Sequence, residues 1–332
     1  MTDALFLTSE AVDDLATPAD YVAAVRDGYR EVGEGAPAEP RTLLPSGDPP
    51  GMLTTYVAML PEVGAMGGYT YAAGFAERDA WFLTPLFDAE TGEPLAVIDG
   101  ASMNPFKTGA AGAVAVDALA RPDASTVAVI GSGPQARGQL RTTATVRDLT
   151  GVRVFSPTPA NRESFADEFA ERLDADVTAV SSASAALAGA DIVITATTAS
   201  EPVIADADVE PGTHVTAMGQ YAADKHELPP ELVARATYVP DLTARATRDA
   251  GSFIAAREAG LVSDDDLEVE LGDVVAGSHP GRTSDDEVTV FDSGGTGIET
   301  VAAAHMLYER AREAGRGTPL SIAPASEALT GR

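Results

Sequence analysis

The stretch VAVIGSGPQARGQL, residues 127–140, decides the fold of this chain. It joins an apolar, β-branched run to a glycine-spaced turn and then to a helix-like segment that opens on proline. Gly131 permits the tight turn, Gly133 lets the backbone approach a pyrophosphate, and Ala136 keeps the helix close to the strand. A plain structural turn is the alternative, but the flanking strand and helix patterns favour a dinucleotide site. Its predicted contacts are Gly131, Ser132, Gly133, Pro134, Gln135 and Ala136.

The chain on the carboxyl side of this turn alternates short β-branched runs with helix-like segments. Predicted helices run from Pro134 to Leu149 and from Ala160 to Leu173, and predicted strands include VRVFS, DIVITAT and THVTAMG. Such alternation is typical of a parallel sheet with helices on both faces. The predicted fold class is therefore α/β, with a Rossmann doubly wound parallel sheet over residues 116–304.

The second predicted strand of this sheet ends without the acidic residue that commonly binds the ribose hydroxyls of NAD. Ser156 and Thr158 stand there instead, and Arg162 lies just inside the next helix, where it could pair with a 2′-phosphate. The alternative is that these residues form only a turn and a helix cap. The predicted cofactor is NAD or NADP, with a lean to NADP. Further predicted cofactor contacts are Thr197, Met218 and Gly219.

The residues before the glycine turn follow a different pattern. A predicted helix from Ala19 to Val32 precedes the runs MLTTYVAML, GGYTYAAGF and WFLTPLFDAETGEPLAVIDG, and the last of these is typical of a β-hairpin. This pattern indicates an α+β domain with an antiparallel sheet over residues 1–115, joined by the C-terminal segment 305–332. The small, apolar segment from Lys107 to Ala120 is predicted to be a buried helix that links the two domains.

The charge of the chain is strongly negative. Asp and Glu total 51 against 22 Lys and Arg, a formal net charge of −29, and only Lys107 and Lys225 are lysines. Carboxylates spread along a chain repel one another unless salt screens them. We therefore predict adaptation to the high-salt cytoplasm of a halophilic archaeon, and an ordinary acidic protein is the alternative. The negative electrostatic potential of such a chain also disfavours a nucleic-acid partner, because phosphates would be repelled.

Composition also excludes several kinds of site. Cysteine is absent, which rules out disulfides, thiolate nucleophiles and cysteine-ligated zinc. The four histidines, His214, His226, His279 and His305, lack metal-ligand spacing, so no metal site is predicted. No apolar run has the length of a membrane span, and the first residues lack the pattern of a signal peptide. We expect a cytoplasmic protein without a membrane partner.

The order of the motifs resembles the ornithine cyclodeaminase/mu-crystallin family, which includes archaeal alanine dehydrogenase and several imine reductases. The segments that carry the resemblance are KTGAA from Lys107, the GSGPQA turn, and KHEL shortly after AMG. The resemblance covers nearly the whole chain. It implies a homodimer in which the first domain, with the C-terminal segment, forms the dimer interface and half of the substrate site.

The resemblance also implies roles for single residues. Arg41 matches the family arginine that binds the substrate carboxylate. Lys107 stands where the family usually has an arginine and would bind the substrate or a cofactor phosphate; the alternative is a lysine that only snorkels from a helix end. Thr108 would contact the cofactor pyrophosphate. Tyr69 and Tyr221 stand where the cyclodeaminases have a lysine and an aspartate, so the base expected for ammonia loss from ornithine is missing.

Hydride transfer between a nicotinamide and the α-carbon of an amino or imino acid is still compatible with tyrosines at positions 69 and 221. Arg41 and Lys107 would bind the α-carboxylate, and Lys107, Tyr69 and Tyr221 are the catalytic candidates. We predict an NAD(P)-dependent oxidoreductase that is alanine dehydrogenase-like or cyclic ketimine reductase-like and acts on a small amino or imino acid. The alternatives are an ornithine cyclodeaminase, which forms L-proline and ammonia with NAD recycled, and a nicotinamide-binding protein without turnover.

Overall fold

The computed structural model describes residues 2–75, 80–219 and 222–330. Its contacts divide the chain into two compact units, Met1–Lys107 with Thr296–Arg332, and Thr108–Gly295. The boundaries expected from the sequence, at 115/116 and 304/305, lie inside two long helices. The substrate-binding and dimerisation roles attached to the first domain remain predictions.

The first part of the chain is rich in strands. Its second helix begins at a capping box, in which the Thr17 hydroxyl accepts the Asp20 N–H and the Asp20 carboxylate accepts the Thr17 N–H at 2.7 Å. The elements are β1 (Thr2–Leu7), α1 (Ser9–Val12), α2 (Pro18–Gly33), β2 (Ala38–Gly47), β3 (Pro50–Leu60), β4 (Ala65–Ala73), β5 (Ala80–Asp88), β6 (Pro94–Asp99) and α3 (Asn104–Leu119).

The second unit alternates strands and helices, as predicted. Two 3₁₀ helices, Asp206–Asp208 and Asp264–Asp266, interrupt its connections. The other elements are β7 (Thr126–Ile130), α4 (Pro134–Thr143), β8 (Gly151–Phe155), α5 (Pro159–Ala170), β9 (Asp176–Ala179), α6 (Ala183–Leu187), β10 (Ile192–Thr195), β11 (His214–Ala217), α7 (Pro230–Arg235), β12 (Thr237–Pro240), α8 (Thr243–Asp249), α9 (Gly251–Glu258), α10 (Leu271–Val275) and β13 (Thr289–Asp292).

The chain then returns to the first unit through α11 (Gly297–Glu313), β14 (Thr318–Ile322) and α12 (Ala325–Thr330). Together with β14, the early strands form a seven-stranded sheet in the order β14-β1-β6-β5-β4-β3-β2. Its neighbours are antiparallel except β1 and β6, which run parallel. The predicted antiparallel sheet is therefore mixed, because β1 joins by a crossover connection that local patterns do not reveal.

The two faces of this sheet differ. Helix α11 lies against β3, so closely that a Cβ on Gly297 would come within 2.3 Å of the Val57 carbonyl carbon. Alternation along β3 buries Tyr56 and Ala58 and leaves Val57 and Met59 exposed on the opposite face. The sheet therefore has one face covered by helices and one apolar face open to solvent.

The second unit contains a parallel seven-stranded sheet in the order β12-β13-β11-β10-β7-β8-β9. Alternate residues of β7 enter cores on opposite faces, with Val127 and Val129 on one side and Ala128 and Ile130 on the other. The order changes direction at β7, which is the doubly wound arrangement. The α/β prediction with a Rossmann-type sheet is confirmed. Within the described ranges, no helix has both the length and the apolarity needed to cross a membrane.

Two predicted helices end early in the structure. Helix α4 stops at Thr143 rather than Leu149. The Thr142 hydroxyl bonds back to the Gly138 carbonyl at 3.0 Å and the Thr145 hydroxyl bonds to the Thr142 carbonyl at 2.7 Å, so threonine side chains compete with helical hydrogen bonding here. Helix α5 stops at Ala170, although Leu173 still packs against the core beyond its end.

Candidate functional site

The glycine turn after β7 has a backbone that only glycine fits at its first position. Gly131 has a φ of 117°, and its N–H donates to the Phe155 carbonyl at 2.9 Å. A Cβ on Gly131 would lie 2.4 Å from the Ala196 carbonyl oxygen. Gly131 directly follows β7 and therefore lies in close contact with the residues at the carboxyl ends of β8 and β10.

The second glycine leaves space at the start of α4. Gly133 is the N-cap in an extended conformation, Pro134 follows it, and a Cβ on Gly133 would meet nothing within 4 Å. The first turn of α4 carries no acidic residue, and Ser132 and Gln135 are partly exposed while Ala136 is fully buried. This open helix N-terminus can accept the pyrophosphate of a dinucleotide.

The end of β8 is tied to the same turn. The Ser156 hydroxyl lies 2.9 Å from the Ser132 hydroxyl. Thr158 is the N-cap of α5 without a side-chain capping bond, and Arg162 Nη1 donates to the Ser156 carbonyl at 2.9 Å. The structure thus brings Ser156, Thr158 and Arg162 together at the carboxyl end of β8, where a dinucleotide ribose would bind.

Thr108 lies beside α4 because α3 and α4 touch through small residues. A Cβ on Gly109 would lie 2.6 Å from the Gly138 carbonyl oxygen, so larger residues could not pack here. Gln139 Nε2 donates to the Thr108 carbonyl at 2.9 Å and holds the start of α3. The small residues of the KTGAAGA segment therefore serve this helix contact.

The ends of β10 and β11 carry the remaining predicted cofactor residues. The Met218 N–H donates to the Thr195 carbonyl at 2.9 Å. The carboxylate of Glu227 accepts the N–H groups of Thr197 and Gly219, each at 2.7 Å. Glu227 belongs to the KHEL motif, but nothing in the local sequence indicates that it joins this group.

Tyr221, a predicted catalytic residue, lies outside the described residues.

A second group of predicted residues lies on the covered face of the first unit's sheet. The register between β2 and β3 shifts between Glu39 and Thr42, so that Pro40 and Arg41 face the single residue Tyr56. Such a bulge changes the direction of side chains on the bulged strand. Both Pro40 and Arg41 are buried, and the Arg41 guanidinium carbon lies 6.0 Å from the centre of the Tyr56 ring.

Lys107 lies in the same place and is only 1% exposed. Its Nζ is 4.7 Å from the centre of the Tyr69 ring, 5.7 Å from that of Tyr56, and 3.5 Å from Glu299 Oε1. Burial lowers the pKa of Lys107 below its ordinary value, while the Glu299 carboxylate acts in the opposite direction. A lysine that only snorkels to solvent does not fit this burial.

Glu299 is held rigidly where α11 begins. Its Oε1 accepts the Thr296 N–H at 2.7 Å and its Oε2 accepts the Thr296 hydroxyl at 2.5 Å, which is a capping box. The side chain is fully buried. The Thr-x-x-Glu spacing at 296–299 is typical of such a cap, whereas nothing in the local sequence indicates the contact with Lys107.

Tyr69 is opposite Tyr56 in the register of β3 and β4. Its hydroxyl donates to the Gly100 carbonyl at 3.3 Å and accepts from Asn104 Nδ2 at 2.8 Å. Burial raises the pKa of Tyr69, and the bond from Asn104 opposes that change. Tyr69 is thus a buried, uncharged side chain whose ring packs against the Lys107 ammonium.

The chain resembles known proteins over most of its length. A model of the ornithine cyclodeaminase/mu-crystallin family matches residues 2–315. A Δ1-pyrroline-2-carboxylate reductase of Bacillus cereus is 36% identical over 233 residues, which cover 70% of this chain and 71% of that protein.

Two solved structures share the fold. The Thermococcus litoralis Δ1-pyrroline-2-carboxylate reductase, in complex with NADH and L-proline, has a TM-score of 0.89 and 30% identity, covering 95% of this chain and 100% of that one. An archaeal alanine dehydrogenase dimer with bound NAD has a TM-score of 0.89 and 30% identity, covering 97% of this chain and 100% of that one. Both relatives bind a nicotinamide dinucleotide in these structures.

Proposed function

The chain belongs to the ornithine cyclodeaminase/mu-crystallin family, and from that premise we propose that it is an NAD(P)-dependent oxidoreductase acting at the α-carbon of an amino or imino acid. The observation that carries the proposal is the buried Lys107. An ammonium has three donors, and within the described chain its hydrogen-bond partner is Glu299 alone. Because an unsatisfied buried cation is costly, the site favours an anionic ligand. The α-carboxylate of the substrate is that anion.

Arg41 and Lys107 would bind the carboxylate from two sides of Tyr56. Arg41 offers a planar fork that suits a carboxylate, and Lys107 offers a point charge. Fixing the carboxylate also fixes the adjacent α-carbon, and such positioning can lower a barrier by about 7 kcal/mol in favourable cases. The nicotinamide, when bound, supplies or accepts the hydride at that carbon.

Proton transfer to the substrate nitrogen is assigned to Lys107. Its ammonium is a buried acid in the proposed carboxylate site, and burial lowers its pKa, which favours release of the proton. The Tyr69 hydroxyl donates to a backbone carbonyl, so its proton is directed away from a ligand above the ring. Tyr69 therefore acts as a positioning residue for Lys107, and Tyr221 remains a candidate from sequence alone.

The proposed cofactor is NAD or NADP, with a lean to NADP. The end of β8 presents Ser156, Thr158 and Arg162, and the described segment 155–162 contains no carboxylate that would repel a 2′-phosphate. The two solved relatives contain NADH and NAD, so the family fold accommodates the unphosphorylated form. An Arg162→Ala variant should lose affinity for NADPH and keep that for NADH, as titration of nucleotide fluorescence would measure.

Ornithine cyclodeaminase activity is the second candidate, because the family includes such enzymes. It would release ammonia from L-ornithine without a net change in the nicotinamide. Tyr69 and Tyr221, in place of the expected lysine and aspartate, argue for the redox reaction. The aromatic wall of Tyr56, Tyr69 and Tyr71 also fits an apolar side chain better than a cationic one.

The proposed assembly is a homodimer formed through the open face of the first unit's sheet. Large exposed apolar patches on soluble proteins mark interfaces. The archaeal alanine dehydrogenase relative is a dimer. The register of β2 to β5 places seven exposed apolar side chains on this face: Leu44, Leu53, Val57, Met59, Trp81, Leu83 and Phe87.

The test of the function is a substrate panel in molar KCl. Cyclic imines, and 2-oxo acids with ammonia or methylamine, are combined with NADH or NADPH while the reduced nicotinamide is followed by absorbance. Consumption of nicotinamide in proportion to the imine supports the proposal. Release of ammonia from L-ornithine with no net change in nicotinamide would instead establish the cyclodeaminase.

A further inference from the structure

The Glu227 carboxylate ties together the carboxyl ends of two adjacent parallel strands. Its Oε1 accepts the Thr197 N–H at 2.7 Å, just beyond β10. Its Oε2 accepts the Gly219 N–H at 2.7 Å, just beyond β11, and the Thr195 hydroxyl at 2.8 Å. The Glu227 side chain therefore holds the loops after β10 and β11 in position, beyond the last residues of the two strands.

The backbone around Glu227 is also fixed. Its carbonyl accepts the Val203 N–H at 2.9 Å, and the Leu228 N–H donates to the Ser252 hydroxyl at 3.1 Å. The side chain is fully buried, and a Cβ on Gly219 would lie 2.5 Å from the Glu227 carboxyl carbon. Position 219 must therefore be glycine for the carboxylate to reach the strand end.

A carboxylate in this environment is retained only because it is fully bonded. Removing an ionised oxygen from water is costly unless hydrogen bonds replace the water. Here backbone N–H groups and a hydroxyl supply those bonds, although burial still raises the pKa of Glu227. An amide would place its NH₂ group against one of the two backbone N–H groups, whichever way it turned.

The sheet order shows which half of a dinucleotide these loops would contact. Strands β8 and β9 lie on one side of β7, and β10 and β11 lie on the other. In doubly wound sheets a dinucleotide crosses this switch point, with its adenosine half on the side of the second strand. The loops after β10 and β11 therefore face the nicotinamide half.

We propose that Glu227 is a positioning residue that shapes the nicotinamide half of the cofactor site through the backbone of Thr197 and Gly219. This inference rests on the proposed function, since it requires a nicotinamide dinucleotide in the site. It predicts that a change at Glu227 weakens binding of the whole dinucleotide much more than binding of its ADP-ribose half.

The test compares Glu227→Gln with the wild type in the full-length protein. Dissociation constants are measured for whichever of NADH and NADPH the wild type binds more tightly, and for ADP-ribose or its 2′-phosphate. Because one buried N–H loses its acceptor, we expect affinity for the dinucleotide to fall about tenfold or more, and affinity for the ADP-ribose probe to change by less than about twofold.

Glu231→Gln is the matched control, because the same chemical change is made on an exposed residue four positions along, in α7. It should leave both constants unchanged. Thr195→Val removes one hydroxyl donor to the carboxylate and should weaken dinucleotide binding in the same selective way. It also keeps the proposal testable if Glu227→Gln does not fold.

Equal losses for both probes, or no loss for either, would overturn the positioning role. A wild type that binds neither NADH nor NADPH would instead overturn the proposed function, so the two failures are distinguishable.

Discussion

The ammonium of Lys107 is surrounded unlike that of a surface lysine. It lies above the Tyr69 ring, beside Tyr56, and within 3.5 Å of a Glu299 oxygen that already accepts a backbone N–H. Burial opposes its charge and the carboxylate supports it, and the net direction is a lowered pKa. Lys107 can therefore bind an anion when protonated and release a proton as the pH rises.

This environment predicts a pH effect of Lys107→Arg. In the wild type, kcat/KM for imine reduction should fall as the pH rises toward the lowered pKa of Lys107, because the neutral amine neither binds the carboxylate nor delivers a proton. Arginine remains charged over the same range. The variant should keep substrate binding, lose most of kcat because a guanidinium that stays charged does not deliver the proton, and show no alkaline decline in its residual kcat/KM. The pH profiles of the two proteins measure both effects. An identical decline in both would show that another group titrates.

Arg41→Ala should raise the KM for the substrate and lower kcat/KM without changing cofactor binding. Loss of one buried carboxylate ligand typically costs about 2–5 kcal/mol when the charge is left unpaired, which would raise KM for the substrate by at least about tenfold. Arg30→Ala is the control, since Arg30 is a partly exposed arginine on α2 in the same unit. Unchanged KM in Arg41→Ala would remove Arg41 from the proposed carboxylate site.

At the level of elements, substitutions at the two glycines of the turn separate an effect on stability from an effect on dinucleotide binding. Gly131→Ala should destabilise the protein, because its φ of 117° is strained for alanine and its Cβ would overlap the Ala196 carbonyl. Gly133→Ala meets open space, so the unfolding free energy should change by no more than about 1 kcal/mol. The same methyl would occupy the space of the pyrophosphate and weaken dinucleotide binding.

Thermal melts and nucleotide titrations of the two variants check this pair. Tight binding by a well-folded Gly133→Ala protein would contradict the placement of the pyrophosphate.

Local sequence patterns predicted the elements that depend on neighbours along the chain. The strand, glycine turn and helix at 127–140 and the hairpin of β5 and β6 both follow from short-range chemistry. The threonines that end α4 early are also local, but their back-bonding to carbonyls competes with a helical pattern that continues beyond them.

Features that depend on distant parts of the chain were not predictable. The partner of Lys107 is Glu299, 192 positions away, and no periodicity connects them. The bulge that turns Arg41 toward Tyr56 requires the register of β2 against β3. The parallel pairing of β1 with β6 requires the complete sheet. In each case tertiary packing decides between arrangements that the local sequence favours equally.

For the whole molecule, the net charge of −29 predicts a strong dependence of stability on salt. Screening of carboxylate repulsion should raise the unfolding temperature steadily from dilute buffer to molar KCl. Calorimetry across a KCl series measures the unfolding temperature as a function of salt concentration. A melting temperature that stays constant over the series would contradict salt adaptation and leave an ordinary acidic protein.

The proposed dimer predicts a sensitive surface on the first unit. Met59→Glu and Leu83→Glu together place charges on the open apolar face and should give monomers in sedimentation or light scattering. Leu261→Glu makes the same kind of change on an exposed leucine of the second unit and should leave the assembly intact. A wild type that is already monomeric at micromolar concentration would contradict the dimer.

The central claim is hydride transfer from a reduced nicotinamide to the α-carbon of an imino acid bound by Arg41 and Lys107. The most direct measurement uses NADH or NADPH with deuterium at both C4 positions and a cyclic imino acid, and analyses the product by mass spectrometry and NMR. The account predicts one deuterium at the α-carbon of the amino acid product and one oxidised nicotinamide for each product molecule. Product without deuterium at that carbon, or no oxidation of the nicotinamide with any imine, would contradict it.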